Sequence, residues 1–166
     1  MIISNTSPLI YLGKIKKLQL LKKLFNEISI PKQVYDEIIK GKEEKFLDAL
    51  IIEKAAGDGW IKVKDVEIDE EVEKFSSELD FGEVAVISLA KKLKPSLVLI
   101  DDASARTIAE SFGFNVKGTL YVLLRAYRGK LVNKNEVKDL VNRIVFAGFR
   151  ISQEIYIQFL DELDKD

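Results

Sequence analysis

The sequence predicts an α/β domain in which helices cover both faces of a parallel sheet. Short apolar segments alternate with amphipathic helical segments along the chain, the arrangement expected of parallel strands joined by helical crossovers. Residues 97–100 are continuously apolar, as expected of a strand that is buried on both faces. Because the sequence shows no internal repeat, low-complexity segment or linker, residues 1–166 are expected to form one domain.

The first part of the chain is predicted to hold three strands, over residues 1–4, 28–30 and 60–63. After the first strand, Ser7 is placed as the N-cap of a helix and Pro8 at its first helical position, where proline is favoured. Apolar residues at helical spacing then predict four helices between these strands. They cover residues 8–12, 18–25, 31–39 and 46–57, and the second strand ends at Pro31.

The second part of the chain is predicted to hold two strands and six helices. An acid-rich stretch after residue 65 leads into a helix that runs through Leu79. Asp80 and Glu83 then have the spacing of a capping box, which opens a helix that Pro95 ends. Gly113 is placed just past the end of a helix over 103–112. The strands are residues 97–100 and a short segment at Val116, and the last helices cover 120–126, 137–145 and 155–163.

The composition excludes several kinds of chemistry. The chain has 166 residues, a formal net charge of −1, no Cys and no His, which excludes disulfides, thiolate metal sites and histidine acid–base catalysis. The nearly neutral charge gives no overall attraction to nucleic acid, so any such binding must come from a local basic patch. High Lys and Glu with one Met is typical of thermophilic proteins. The chain shows neither a signal peptide nor the ~20 apolar residues of a membrane span, so a cytoplasmic protein is expected.

Polar side chains follow the predicted strands at one edge of the sheet. Asn5 follows the first strand, and Glu37 lies in the helix after the second. Asp101 and Asp102 follow the most apolar strand, and Glu83 lies in the first turn of the helix that leads back to it. Because ligands of open α/β sheets bind beyond the carboxyl ends of the strands, these five side chains are candidate site residues.

Each of these residues also has a purely structural interpretation. Glu83 can complete the capping box, and Asp102 can be an N-cap that pairs with Arg106 one turn later. Glu37 can be a surface residue, and Asn5 can stabilise a tight turn. Together, however, they favour a cation site, because adjacent carboxylates at the end of a buried strand repel each other unless a cation or Arg compensates.

A divalent metal ion fits this set of groups. Oxygen-only ligands suit Mg²⁺ and Mn²⁺ rather than zinc. A bound divalent ion acidifies water and stabilises the charge that grows on phosphate, so phosphodiester hydrolysis would need no histidine.

Several ordered motifs resemble those of the PIN domain family, especially a VapC-like subgroup of uncharacterised prokaryotic members. They are SNTSPLI at residues 4–10, PKQVYDEI at 31–38, LDFGE at 79–83 and LIDDASAR at 99–106. GTL at 118–120 and GFRIS at 148–152 resemble C-terminal marks of the subgroup. The resemblance covers nearly the whole chain.

The resemblance implies a three-layer α/β/α sandwich with a parallel sheet of about five strands, and metal-dependent cleavage of RNA. The implied metal ligands for Mg²⁺ or Mn²⁺ are Asn5, Glu37, Glu83 and Asp101, and the catalytic carboxylates are Glu37, Glu83, Asp101 and Asp102. Supporting groups implied beside the metal or phosphate are Thr6, Ser7 and Asp80. Most PIN domains carry Asp at the first of these positions, so Asn5 removes one negative charge. Many members are toxins neutralised by a small antitoxin, and many form homodimers.

Basic residues near the acidic motifs are candidate contacts for the phosphates of RNA, although such residues also form ordinary solvated helix faces. The principal candidates are Arg106, Lys117, Arg125 and Arg128, followed by Lys130, Arg143 and Arg150. Tyr121 and Tyr127 can stack on bases, but a place in the core is favoured. The apolar helix over 120–126 suits burial or a dimer face, and the amphipathic C-terminal helix suits its own core or a partner helix.

Two other functional classes compete with a nuclease. A binding module with the same fold would retain RNA or protein binding while Asn5 has cost it activity. A phosphoacceptor signalling domain also uses an acidic pair with Mg²⁺, but that pair normally follows the first strand, whereas Asp101 and Asp102 follow a late one. The absence of a Gly-rich phosphate loop argues against a nucleoside-triphosphate enzyme.

Overall fold

The fold is built on a sheet of five parallel strands. A computed structural model of the chain describes residues 1–43 and 46–165. The strands are β1 (Ile2–Ser4), β2 (Ile28–Pro31), β3 (Ile61–Lys64), β4 (Leu97–Leu99) and β5 (Val116–Lys117). All neighbouring strands pair in parallel, and their spatial order is β3-β2-β1-β4-β5. The predicted parallel α/β sheet of about five strands is therefore confirmed.

The described residues hold ten helices, of which seven lie between the strands and three follow β5, and they complete a three-layer α/β/α sandwich. They are α1 (Thr6–Lys14), α2 (Gln19–Phe25), α3 (Lys32–Glu43), α4 (Leu47–Gly57), α5 (Glu70–Glu73), α6 (Phe81–Leu93), α7 (Ala103–Ser111), α8 (Thr119–Arg128), α9 (Lys134–Phe146) and α10 (Gln153–Asp164). The longest of these helices have 13 residues, and none of the described helices is long and apolar enough to cross a membrane.

The strand β1 lies at the centre of the sheet, and the core is built around it. Ile3 pairs with Ser29 of β2, and Ser4 pairs with Leu99 of β4. Ile3 and Leu99 are fully buried, and burying a side chain of this size contributes about 1.5–3 kcal/mol. Because helices cover both faces of the sheet, the central strand β4 is a continuous apolar run that is buried throughout.

The first helix begins one residue after β1, earlier than predicted. Thr6 is its first residue and Asn5 its N-cap, so the placement of Ser7 as N-cap and of Pro8 at the first helical position is wrong. Pro8 is instead the third helical residue. It is tolerated there because the N–H groups of a first helical turn have no acceptor within the helix.

A helix follows the acid-rich stretch as predicted, but its predicted end at Leu79 is wrong. α5 ends at Glu73, and the chain continues in tight turns. The N–H groups of Phe75, Ser76 and Glu78 each donate to the carbonyl three residues earlier, the pattern of a 3₁₀ turn and not of an α-helix. These turns bring the buried Leu79 directly before the first residues of α6.

The capping box predicted at the start of α6 is confirmed. Asp80 accepts from the Glu83 N–H at 2.7 Å, and Glu83 accepts from the Asp80 N–H at 2.9 Å. α6 packs against β1 and β2, so this cap fixes the position of both side chains relative to the central strand. The predicted position of Gly113 past the end of α7 is confirmed as well, with φ of +87°.

Candidate active site

The strand order reverses between β1 and β4, and an open α/β sheet forms a crevice at such a point. From β1 the chain proceeds to β2 on one side, whereas from β4 it proceeds to β5 on the other, and open α/β sheets bind ligands at such a point. Asn5 follows β1 directly, and its backbone N–H donates to the Leu99 carbonyl at 2.9 Å. Asp101 lies two residues beyond β4. Both residues therefore lie at the carboxyl edge of the two central strands.

Asn5 is a buried polar residue, with 6% of its surface exposed. Although it is the N-cap of α1, its side chain makes no capping hydrogen bond. Within the part of the chain that the structure describes, its amide has no hydrogen-bond partner. The amide oxygen is therefore chemically available to a hard cation.

The carboxylate of Glu37 is held against α1 and α6. The Thr6 hydroxyl donates to Glu37 Oε2 at 2.9 Å, which ties α3 to the first turn of α1. A Cβ atom placed on Gly82 would lie 3.0 Å from Glu37 Oε2 and 3.3 Å from Asp80 Oδ1. Both carboxylates thus approach the same point on the first turn of α6, in space that a larger residue than Gly82 would occupy.

Glu83 carries a buried carboxyl group, 7% exposed. Burial raises the pKa of Glu83 from its usual 4.5 to about 7. The hydrogen bond from the Asp80 backbone opposes this rise, and the charges of Asp80, Asp102 and Glu37 add to it. Four carboxyl groups therefore share one electrostatic environment, which a divalent cation would stabilise.

Asp102 is the N-cap of α7, as its structural interpretation predicted. Its Oδ1 accepts from the Ala105 N–H at 2.9 Å. The expected ion pair between Asp102 and Arg106 does not form among the described residues. The side chain of Asp102 remains exposed, and its charge reaches the carboxyl group of Glu83.

Asp101 is fixed by the turn between β5 and α8. Its Oδ1 accepts from the Thr119 N–H and its Oδ2 from the Thr119 hydroxyl, both at 2.7 Å. A Cβ atom on Gly118 would lie 2.6 Å from Asp101 Oδ1, a contact too short for any real side chain. Burial raises the pKa of Asp101, and the two Thr119 hydrogen bonds and the charge of Arg106 oppose that rise. Glycine is thus required at 118 by close approach.

Arg106 lies beside Asp101, and the charge of Asp101 also acts on Tyr11. Arg106 Nη1 lies 3.7 Å from the point where a Gly118 Cβ would stand. Burial and the charge of Asp101 raise the pKa of Tyr11, whereas the charge of Arg150 lowers it. Arg150, in the segment after α9, therefore lies close enough to Tyr11 for its charge to act on that ring.

The donor chemistry of the crevice fits Mg²⁺ or Mn²⁺, because carboxylate and amide oxygens are the ligands these ions take. Among residues 1–43 and 46–165, however, no three acidic side chains are grouped closely enough to hold a metal ion. The carboxyl groups of Asp80, Asp102 and Glu37 share the electrostatic field around Glu83. The Asp101 carboxylate is instead held in place by the hydrogen bonds from Thr119. Metal binding would require the side chains to rotate, and Glu37, which is exposed, has room to do so.

The remaining predicted site residues are Ser7 and the basic residues Lys117, Arg125 and Arg128. Ser7 is half-buried in the first turn of α1. Lys117 in β5 lies over the ring of Tyr121, 5.9 Å from its centroid. Arg125 stacks on Phe25 at 5.1 Å, and Phe25 precedes β2, so this contact lies toward the amino edge of the sheet.

Arg128 forms an ion pair with Glu162 of α10 at 3.0 Å. Arg106 lies beside a site carboxylate, because its charge acts to lower the pKa of Asp101 against the rise caused by burial. Tyr127 packs against the core, as favoured from the sequence, and α8 is a buried helix.

Three residues with clear roles were not among the predicted site residues, namely Gly82, Gly118 and Thr119. Two of them leave room for a carboxylate, and the third donates twice to Asp101. One signal for Thr119 was present: a hydroxyl residue opens a helix directly after a short strand, at the edge where the other polar groups gather.

A parallel five-stranded sheet with an acidic crevice at its switch point defines a PIN-like α/β domain. Comparison with protein families agrees, since the model of a family described as PIN domain matches residues 1–165. The chain belongs to the PIN domain family, whose members are generally nucleases. No curated protein matches the chain.

Proposed function

We propose that the protein is a Mg²⁺- or Mn²⁺-dependent endoribonuclease that hydrolyses phosphodiester bonds of RNA. One observation carries the proposal: in a PIN domain, the carboxyl group of Glu83 is buried within the electrostatic field of Asp80, Asp102 and Glu37. A fold gains no stability from collecting like charges around a buried carboxyl group. Such a cluster is expected where a dication is bound for chemistry.

Asn5, Glu37, Glu83 and Asp101 would hold the ion. When bound, the ion would supply an acidified water molecule and neutralise charge on the phosphate. Hydrolysis adds water across a P–O bond, so the site must accept one proton from water and return one to the leaving oxygen. In the metal-free protein the pKa of Glu83 is raised to about 7, and a bound ion would favour its charged form.

Other residues would orient these groups and the substrate. Thr119 fixes both oxygens of Asp101, and Thr6 fixes one oxygen of Glu37. Arg106 lies beside Asp101 and would bind a phosphate oxygen, which makes substrate binding sensitive to salt.

A gel assay tests the proposal. The wild type is incubated with several RNAs in Mg²⁺, Mn²⁺ or EDTA, together with Asp101→Asn, Glu83→Gln and the control Asp58→Asn. Asp58 is a carboxylate that pairs with Lys54 at the end of α4. We expect metal-dependent cleavage by the wild type and the control only. Equal cleavage by Asp101→Asn would refute the mechanism.

A second candidate function is a PIN-like module that binds RNA or protein without cleaving it. The observation that favours it is the neutral Asn5 at the centre of the crevice, where one ligand charge is missing. Metal titration separates the two candidates. A nuclease gains thermal stability with Mn²⁺ because the folded state alone binds the ion, and a module that has lost its metal site does not.

We further propose that the protein belongs to the VapC-like toxins, forms a homodimer and is neutralised by a small antitoxin. Exposed apolar side chains support a partner surface, for example Phe146 at the end of α9 and Ile155 and Ile157 on α10. Light scattering measures the oligomeric state. A small open reading frame directly upstream, whose product abolishes the cleavage, would support the toxin assignment.

A further inference from the structure

We propose that Phe81 forms a base-stacking subsite beside the carboxylates, which takes an unpaired nucleobase of a single-stranded RNA substrate. The inference rests on the proposed nuclease function and names the form of RNA that the site takes. It also assigns a role in substrate positioning to a residue that no sequence motif singled out for chemistry.

The position of Phe81 is unusual for an aromatic residue. It is the first residue of α6, between the capping residue Asp80 and Gly82, and 66% of its surface is exposed. Two pairs of rings in the described chain pack edge-on, Tyr11 with Phe149 and Phe75 with Phe112, and Phe81 belongs to neither pair. Neither the capping box nor the core requires a phenyl ring here, so the fold itself gives no reason for it.

The ring of Phe81 lines a cleft that leads to the carboxylates. This cleft has a volume of about 480 Å³ and is also lined by Glu37, Lys40, Asp80 and Gly82. A volume of this size is typical of small-molecule sites and holds a nucleobase with its ribose. A base on Phe81 would therefore have its phosphate next to Glu37 and Asp80.

A buried acceptor faces the same region. Gln33 lines the cleft, and its Oε1 is buried without a hydrogen-bond partner, while its Nε2 donates to the Val66 carbonyl at 3.4 Å. An unpaired buried acceptor is costly. The terminal amide torsion has a broad profile, so the oxygen can turn to accept from an N–H group on a base edge.

Charge on the wall of the cleft suits a nucleic acid strand. Lys40 and Glu37 line both this cleft and a neighbouring cavity of about 360 Å³, which Thr6 and Lys14 also line. A strand that runs from the neighbouring cavity to Phe81 would cross the carboxylates and pass two lysines. Bases in a duplex are stacked and cannot reach such a ring, so the site selects single strands.

Cleavage kinetics test the subsite. The substrate is a short single-stranded RNA, and the same sequence annealed to its complement is the comparison. For Phe81→Ala we expect KM in Mn²⁺ to rise about 10- to 100-fold, the loss that follows removal of one base-stacking ring. Because the ring would bind the base and not the reacting atoms, kcat should change little.

Three further variants test whether stacking on an aromatic ring is what changes KM. Phe81→Trp keeps an aromatic face and should restore KM, whereas Phe81→Leu keeps an apolar side chain without a face and should not. Leu131→Ala shortens an apolar side chain that is 37% exposed after α8 and lies outside the cleft, and its KM should match the wild type. The melting temperature should be unchanged in the three Phe81 variants, because Phe81 is exposed.

The possible failures are distinguishable. If the wild type cleaves single-stranded RNA and Phe81→Ala has the same KM, the subsite is wrong while the nuclease stands. If Phe81→Leu performs as well as Phe81→Trp, stacking is refuted. If the wild type cleaves no RNA with any metal ion, the proposed function fails and the subsite fails with it.

Discussion

Replacing Glu83 with glutamine should stabilise the metal-free protein at pH 8. Glutamine keeps an oxygen that accepts from the Asp80 N–H, so the capping box survives while the charge is removed. In the folded protein the pKa of Glu83 is raised to about 7 from 4.5. Its contribution to stability is therefore fully present below about pH 4.5 and is lost as the pH rises through 7.

The size of this effect follows from the pKa rise. A change from 4.5 to about 7 corresponds to at most about 3 kcal/mol. Water at the open side of the crevice screens part of it, so we expect Glu83→Gln to gain about 1–2 kcal/mol at pH 8. In a domain of this size that corresponds to about 2–8 °C in melting temperature. At pH 5, where Glu83 is protonated in the folded state, the two proteins should be nearly equal.

The assay is thermal and urea unfolding in EDTA at pH 5 and pH 8, then with Mn²⁺ at pH 8. Glu136→Gln is the matched control, because Glu136 completes the second capping box, accepts from the Asn133 N–H at 2.7 Å and is exposed. The control should show no gain at pH 8. Mn²⁺ should stabilise the wild type more than Glu83→Gln. Equal destabilisation of Glu83→Gln at both pH values would refute the reasoning.

Three other substitutions probe the same crevice. Thr119→Val removes the hydroxyl that donates to Asp101 at 2.7 Å. Because the acceptor is charged, the free energy of urea unfolding should fall by about 1.5–3 kcal/mol. An unchanged unfolding midpoint would contradict this role of Thr119. Gly118→Ala places a Cβ 2.6 Å from Asp101 Oδ1, so it should lower the stability by about 1–3 kcal/mol and abolish cleavage. Its control is Gly57→Ala, where a Cβ meets nothing within 4 Å, and this variant should be neutral or slightly stabilising. Asn5→Asp restores the common acidic ligand, so isothermal titration should show tighter Mn²⁺ binding, and weaker binding would exclude this position as a ligand.

Elements defined by local patterns were predictable from the sequence. The apolar run at residues 97–100 gave a buried strand, and the spacing of Asp80 and Glu83 gave a capping box, because both depend on neighbours in the chain. Placing Pro8 at the first helical position failed for a physical reason. Proline fits any position of a first turn, so its presence marks a helix start only to within a few residues.

The candidate site was predictable as a region and less so as a set of contacts. Topology brings the ends of β1 and β4 together, so Asn5 and Asp101 could be placed from the strand pattern. Thr119 holds Asp101, and the charges of Glu37 and Asp102 act on Glu83. Both effects depend on the directions of side chains in segments that are far apart in the chain. Chain spacing carries no information about those directions.

The turn after β5 affects when the site can be completed during synthesis. Asn5, Glu37 and Glu83 belong to the first half of the chain, but Asp101 acquires both of its hydrogen bonds from Thr119, after a strand of only two residues. A ribosome-bound chain that has not yet folded this turn holds Asp101 without its anchor. The hydrogen bonds of Asp101 can therefore form only after residues 118–119 have emerged and folded.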